Sequence, residues 1–249
     1  MRTAWAFVLG AALATSAVAD DTVNIGFFEM QPWIVPHQGG KPTGLAVDYW
    51  EKTLAPAMNV TLKWSGPTPM LRLLQQLEAG EIDAVVILSK TPEREKLFVY
   101  PKLSFVQFQP TLAVLKESRL AAVKSASDLA GVRIGYQQGG FVPPFLKDPQ
   151  IKLDLISSPN WLQDNFAKLL ASRVDAVFDV GTESLILLAS MNGQAEKFRF
   201  VPLPVPPQPI FSAFARTPRG TALAAKYEPV NAQNAAAFKD VVEKFKASK

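Results

Sequence analysis

The chain has 249 residues, 48% of them apolar, enough to bury one large core or two smaller ones, which excludes a disordered or fibrous class. It has no cysteine and one histidine, His37, so thiol catalysis, thiolate metal sites and two-histidine metal clusters are excluded and no cofactor or metal is expected. Lys and Arg number 26 against 22 Asp and Glu, and no basic run is interleaved with aromatics, so a nucleic-acid partner is excluded.

Residues 1–19 carry a charged start at Arg2, an Ala-rich apolar run and a small-x-small end at Ala17-Val18-Ala19. This pattern predicts a secretory signal peptide cleaved after Ala19 and a periplasmic mature chain. Val23 to Phe28 then reads as a strand closed by Gln31-Pro32-Trp33, and Gly44 to Leu54 as a helix ending before Pro56. His37 falls in an exposed turn. Val60 to Trp64 alternates as a strand should, and Met70, Leu73, Leu74 and Leu77 form one helical stripe stopped by Gly80.

Ile82 to Leu88 is a β-branched apolar run of the buried parallel kind. Thr91 suits a helix N-cap, Pro92 the first helical position and Glu93 the first turn. Arg94 falls in that same turn, where a cation is mildly disfavoured by the helix dipole. It either holds an anion together with the free N–H groups of the turn or forms a surface pair with Glu93 or Glu95. The first portion thus reads β, helix, β, helix, β, an open parallel sheet covered by helices.

The second portion repeats the pattern. Val132-Arg133-Ile134-Gly135-Tyr136 echoes Val23-Asn24-Ile25-Gly26-Phe27, and Val174-Asp175-Ala176-Val177-Phe178 echoes Ile82-Asp83-Ala84-Val85-Val86. A helix with Phe166, Leu169 and Leu170 precedes the later strand. Asp83 and Asp175 read as turn residues without chemistry. Phe105 to Leu112 is extended in character, and Pro202 to Pro209 is too proline-rich for helix or central strand. Ile210 to Phe214 reads as a strand and 232–246 as a closing helix. If the chain leaves the first lobe near Gln109 and returns near Pro207, that lobe is discontinuous: 20–108 with 209–249, against 109–208, with crossings near 106–110 and 203–209.

The order of V-x-I-G, P-W, G-L-A-V-D, G-E-I-D-A-V with T-P-E-R, D-L-A-G-V-R-I-G-Y-Q-Q-G and R-V-D-A-V-F-D, spread over residues 23–216, resembles the bacterial extracellular solute-binding proteins of family 3, amino-acid receptors of ABC transporters. The resemblance implies an α/β periplasmic-binding-protein fold of type II. Each lobe would be a mostly parallel sheet flanked by helices, with two crossing segments as hinge. It implies that Arg94 clamps a ligand carboxylate near Ser89, that Asp179 takes a ligand amine and that the aromatic Trp33 packs on the ligand body. Met30 and Met70 share that roof. Gly140 and Phe141 stand where the family has Gly-Thr, and Val86 and Ile87 where it often has small hydroxyl residues.

Three readings follow. The first is a monomeric periplasmic receptor for a small carboxylate, amine-bearing and with a modest apolar or aromatic body, serving an ABC permease or a membrane sensor. The second is an enzyme similar to cyclohexadienyl dehydratases, for which Glu29 or Glu183 would supply the acid. The third is a partner-binding protein with a vestigial cleft.

Overall fold

The computed structural model describes residues 21–37, 41–191 and 193–247, so the expected signal peptide lies outside the described residues. In chain order the elements are β1 (Thr22–Gly26), α1 (Leu45–Tyr49) running through a π-helical turn (Trp50–Leu54) into α2 (Ala55–Met58), β2 (Thr61–Ser65), α3 (Met70–Ala79), β3 (Ala84–Ser89), α4 (Pro92–Leu97), β4 (Phe98–Val99) and β5 (Val106–Phe108). There follow β6 (Thr111–Leu115), β7 (Arg133–Gln137), β8 (Lys152–Ile156), α5 (Trp161–Leu170), β9 (Ala176–Asp179), α6 (Thr182–Met191), β10 (Phe198–Pro202), β11 (Gln208–Ala215) and α7 (Pro218–Ala247).

Two sheets result, one per lobe. The first runs β2-β1-β3-β11-β4, with β5 also paired to β11, and the second runs β10-β6-β9-β7-β8. In each, three parallel strands are joined by a fourth that enters antiparallel, β11 beside β3 and β6 beside β9. The repeated sequence therefore marks a repeated wiring. Ile25 and Gly26 pair with Ala84 and Val85, as Ile134 and Gly135 pair with Ala176 and Val177.

The echoed aspartates do more than turn the chain. Asp83 donates its N–H to the Asn24 carbonyl while its carboxylate accepts the Asn24 N–H, both at 2.8 Å. Asp175 makes the same pair of 2.8 Å bonds with Arg133. Each therefore meets, with a charged acceptor, an N–H that lies just before the ladder to the last parallel strand begins, and pins the parallel register.

Three expected boundaries shift. The first helix passes Pro56, because the π turn has already displaced the hydrogen-bond ladder and Pro56 opens a fresh first turn, where its missing N–H costs little. The helix then stops at Asn59, left-handed at φ 54. The closing helix begins at Pro218 and carries Pro229 inside it. Its first half is held by burial of Leu223, Ala224 and Tyr227, and by Arg219, which donates to the Asp83 carboxylate at 2.9 Å. The proline-rich return is partly strand. Pro202 ends β10 at a sheet edge, and Pro209 lies in β11 where only β5 is beside it, so neither interrupts a two-sided ladder.

The chain passes between the sheets at Gln109-Pro110 and again over 203–207. The two passages lie side by side: Leu203 N–H donates to the Pro110 carbonyl at 2.9 Å, and the Gln109 amide reaches the Leu203 carbonyl at 3.2 Å.

Candidate functional site in the cleft between the lobes

Open parallel sheets leave their binding crevices beyond the carboxyl ends of the strands. Here both sheets turn those ends toward one small cavity of about 20 Å³, roughly the room of one water. The first lobe contributes Phe28 and Met30 after β1, Met70 at the start of α3, Ile87 and Ser89 at the end of β3, and Arg94 in α4. The second contributes Tyr136 and Gln137 at the end of β7, Phe141 beyond it, and Val180 after β9.

Arg94 is set by local sequence. The Thr91 hydroxyl accepts the Arg94 main-chain N–H at 3.2 Å, and Pro92 occupies the first helical turn. From there the side chain enters the cleft and is only 9% exposed. Its Nη1 donates to the Ser89 carbonyl and its Nη2 crosses to the Gly139 carbonyl, each at 2.8 Å. Both acceptors are neutral, and among the described residues Arg94 makes no ion pair. Two of the five N–H donors of the guanidinium are so occupied. Burial pulls its pKa down, against the opposing influence of Tyr100, Tyr136 and Glu93. A buried cation held only by carbonyls is costly until an anion meets it. The surface pair with Glu93 or Glu95 is not formed, since Glu95 pairs with Lys90 at 2.7 Å and Glu93 is not bonded to the guanidinium.

The lobes touch where Arg94 crosses. Gly139 is left-handed at φ +80, and a Cβ there would stand 3.0 Å from the Leu71 Cα of α3. Only glycine satisfies both the conformation and the contact. Next to it, the Tyr136 hydroxyl stands over Gly140, 2.6 Å from where a Cβ would lie.

The remaining expected site residues divide. Met30, Met70, Ser89 and Phe141 line the cavity; Trp33, Glu29, Gly140 and Asp179 do not. Trp33 is fully buried against Phe108 of β5, ring centroids 4.7 Å apart, so it supports the crossing strand. Glu29 accepts from the Gln31 amide at 2.7 Å, and burial raises its pKa. Asp179 is 0% exposed, and one of its oxygens accepts the Gly181 N–H at 3.1 Å. Burial pushes this carboxyl up to about 7; the Gly181 and Val180 N–H groups oppose the rise and the Glu183 charge adds to it. The Tyr136 hydroxyl is pushed well above its ordinary pKa by burial, raised further by Asp179 and lowered by Arg94.

Phe28, Tyr136, Gln137 and Val180 were not among the expected site residues. The internal repeat holds a signal for two of them: carried one residue past its quoted ends, it places Phe28 opposite Gln137, and both line the cavity.

A two-lobed α/β receptor with a cleft at the strand ends is the class that this fold and site define. The model of the bacterial extracellular solute-binding proteins, family 3, matches residues 24–248, and the chain belongs to that family. Its members are extracellular solute-binding proteins, which places the chain outside the cytoplasm, periplasmic or secreted. Comparison with curated proteins yields no match. Among solved structures, an ancestral arginine-binding protein bound to arginine superposes with TM-score 0.75 at 22% identity, over 90% of this chain and 97% of its own. Arginine-bound, truncated ArgBP from T. maritima gives TM-score 0.70 at 20% identity, over 86% and 96%. AbpA from Streptococcus pneumoniae, a substrate-binding protein of an amino acid ABC transporter bound to L-arginine, gives 0.73 at 18%, over 92% and 96%. At these identities the likeness is one of fold.

Proposed function

We propose that the protein is a solute receptor that traps a small carboxylate between its lobes and presents it to an ABC importer in the membrane. The lobes are 20–108 with 209–249 and 109–208, hinged near 106–110 and 203–209. The observation that carries this reading is Arg94: a buried guanidinium, without a carboxylate partner among the described residues, that reaches across the cleft to Gly139. A ligand carboxylate would supply the missing charge and join both lobes, so binding and closure become one event. The apolar lining suits a ligand of amino-acid size with an apolar or aromatic body. Glu29 and Glu183, on which the dehydratase reading calls, lie outside that lining.

The test is titration calorimetry of the wild type and Arg94→Ala against carboxylates first selected by thermal shift. Removing one member of a buried charge pair costs about 2–5 kcal/mol, so affinity should fall by roughly 30-fold or more while the variant stays folded. Unchanged affinity in a folded Arg94→Ala would remove the carboxylate clamp. Uptake of the same ligand by cells with and without the receptor then separates transport from signalling.

A further inference from the structure

Gln137 stands at the end of β7 with its side chain in the cleft. It is 5% exposed, lines the cavity, and its Oε1 has no hydrogen-bond partner among the described residues. The carbonyl oxygen is thus the free end of the side chain. A buried acceptor without a donor is a standing cost that a ligand donor removes. The residues that line the cavity include one cation, Arg94, and no carboxylate. Asp179 is withdrawn from the lining and Glu29 is tied to Gln31. An ammonium group brought here would be desolvated against Phe28, Met30, Met70, Ile87 and Phe141 with no counter-ion to meet it.

We propose that the cleft selects an apolar monocarboxylate bearing a neutral hydrogen-bond donor, a 2-hydroxy acid with a branched or aromatic body, over the amino acid of the same shape. This rests on the carboxylate reading of Arg94. The carboxylate faces Arg94, the ligand hydroxyl donates to Gln137 Oε1, and the body lies against the methionines and phenylalanines. An amide oxygen accepts one neutral donor well but offers an ammonium no compensating charge. Sites built to bond a substrate hydroxyl reject the analogue that lacks it more strongly than apolar pockets reject a size change.

The experiment is calorimetry of the wild-type receptor with two matched sets, both enantiomers where they exist: phenyllactate, phenylalanine and 3-phenylpropionate; 2-hydroxyisocaproate, leucine and 4-methylpentanoate. The hydroxy acid of at least one set should bind ten-fold or more tightly than its amino and deoxy counterparts, and Gln137→Leu should bring it down to the level of the deoxy acid. An amino acid that binds as tightly as its hydroxy analogue, or a deoxy acid that matches it, overturns the proposal. If Arg94→Ala still abolishes that binding, the carboxylate receptor stands without it. No binding by any of the six would overturn the proposal too, while the carboxylate reading is decided separately by the thermal-shift selection and Arg94→Ala. The wild-type comparison decides the matter even if Gln137→Leu does not fold.

Discussion

The two lobes share a wiring and differ in chemistry. Gly26 and Gly135 occupy the same place in the same register, and each is crowded by the helix before the last parallel strand. Over Gly26 the neighbours are Leu73 and Ile82; over Gly135 the neighbour is the amide of Asn165, whose side-chain oxygen and nitrogen have no partner. At the strand ends Phe28 is answered by Gln137 and Ile87 by Asp179. In the second lobe Gln137 Oε1, Trp161 Nε1 and both amide atoms of Asn165 are buried without partners among the described residues; in the first, Trp33 Nε1 is the comparable case. The first lobe thus offers an apolar wall and one cation, while the second stores polar capacity that its own fold leaves unused. Unmatched buried polar groups cost stability, so their collection in one lobe is a reason to expect binding or regulation there.

The contrast breaks most sharply at Arg94. Arg94→Ala removes the charged group that bonds across the lobes, and on the proposed carboxylate reading calorimetry should show affinity falling by roughly 30-fold or more. Asp179→Asn probes the second lobe alone. A carboxyl raised from 3.8 to about 7 holds its proton more tightly in the folded chain than in the unfolded one. Its contribution is therefore fully present below about pH 4 and lost as pH rises through about 7, a change of roughly 4 kcal/mol at most. The amide keeps an acceptor for the Gly181 N–H and does not titrate, so the melting temperature of Asp179→Asn relative to wild type should climb between about pH 4 and about pH 7. A constant offset across that range would show that the carboxyl is not buried and neutral.

A smaller effect compares the echoed glycines directly. A Cβ would meet Ile82 Cδ1 at 2.3 Å in Gly26→Ala and Asn165 Oδ1 at 2.5 Å in Gly135→Ala. Overpacking of this kind costs about 1–3 kcal/mol in either lobe, read from denaturant midpoints. An alanine tolerated at one site alone would show that the two helices do not pack equivalently. Smallest, Asn165→Leu restores the residue that the first lobe has at Leu73 and removes two unsatisfied polar atoms, and should stabilise by about 1 kcal/mol. Destabilisation by that amount would mean that the amide has a partner after all.

Much of the fold was readable along the chain because it is decided over a few residues. The Leu stripe and Gly80 delimit α3, Thr91 and Pro92 start α4, and the echoed strands are runs whose apolar content is visible without a partner. What failed was of longer range. Pro229 and the polar residues around it concealed the first half of α7, because that half is stabilised by burial of Leu223 and Tyr227 against the first lobe. Lys152–Ile156 and Phe198–Pro202 are short strands whose pairing supplies most of their definition, so the sequence alone carries no signal for them.

The same division holds at the site. By itself the sequence determined that Arg94 stands in a capped first turn beyond a buried strand, that Met70 opens a helix stopped by Gly80, and that the chain consists of two similar units. Only the tertiary structure decided what these residues meet: Arg94 finds its second acceptor 45 residues away at Gly139, Trp33 packs on Phe108, Asp179 is fully buried, and Gln137 lines the cavity. The physical reason is that capping, turns and apolar runs are local energies. Burial, hydrogen-bond partners and the pKa of a carboxyl belong to the apposition of two lobes and arise only when both are folded together.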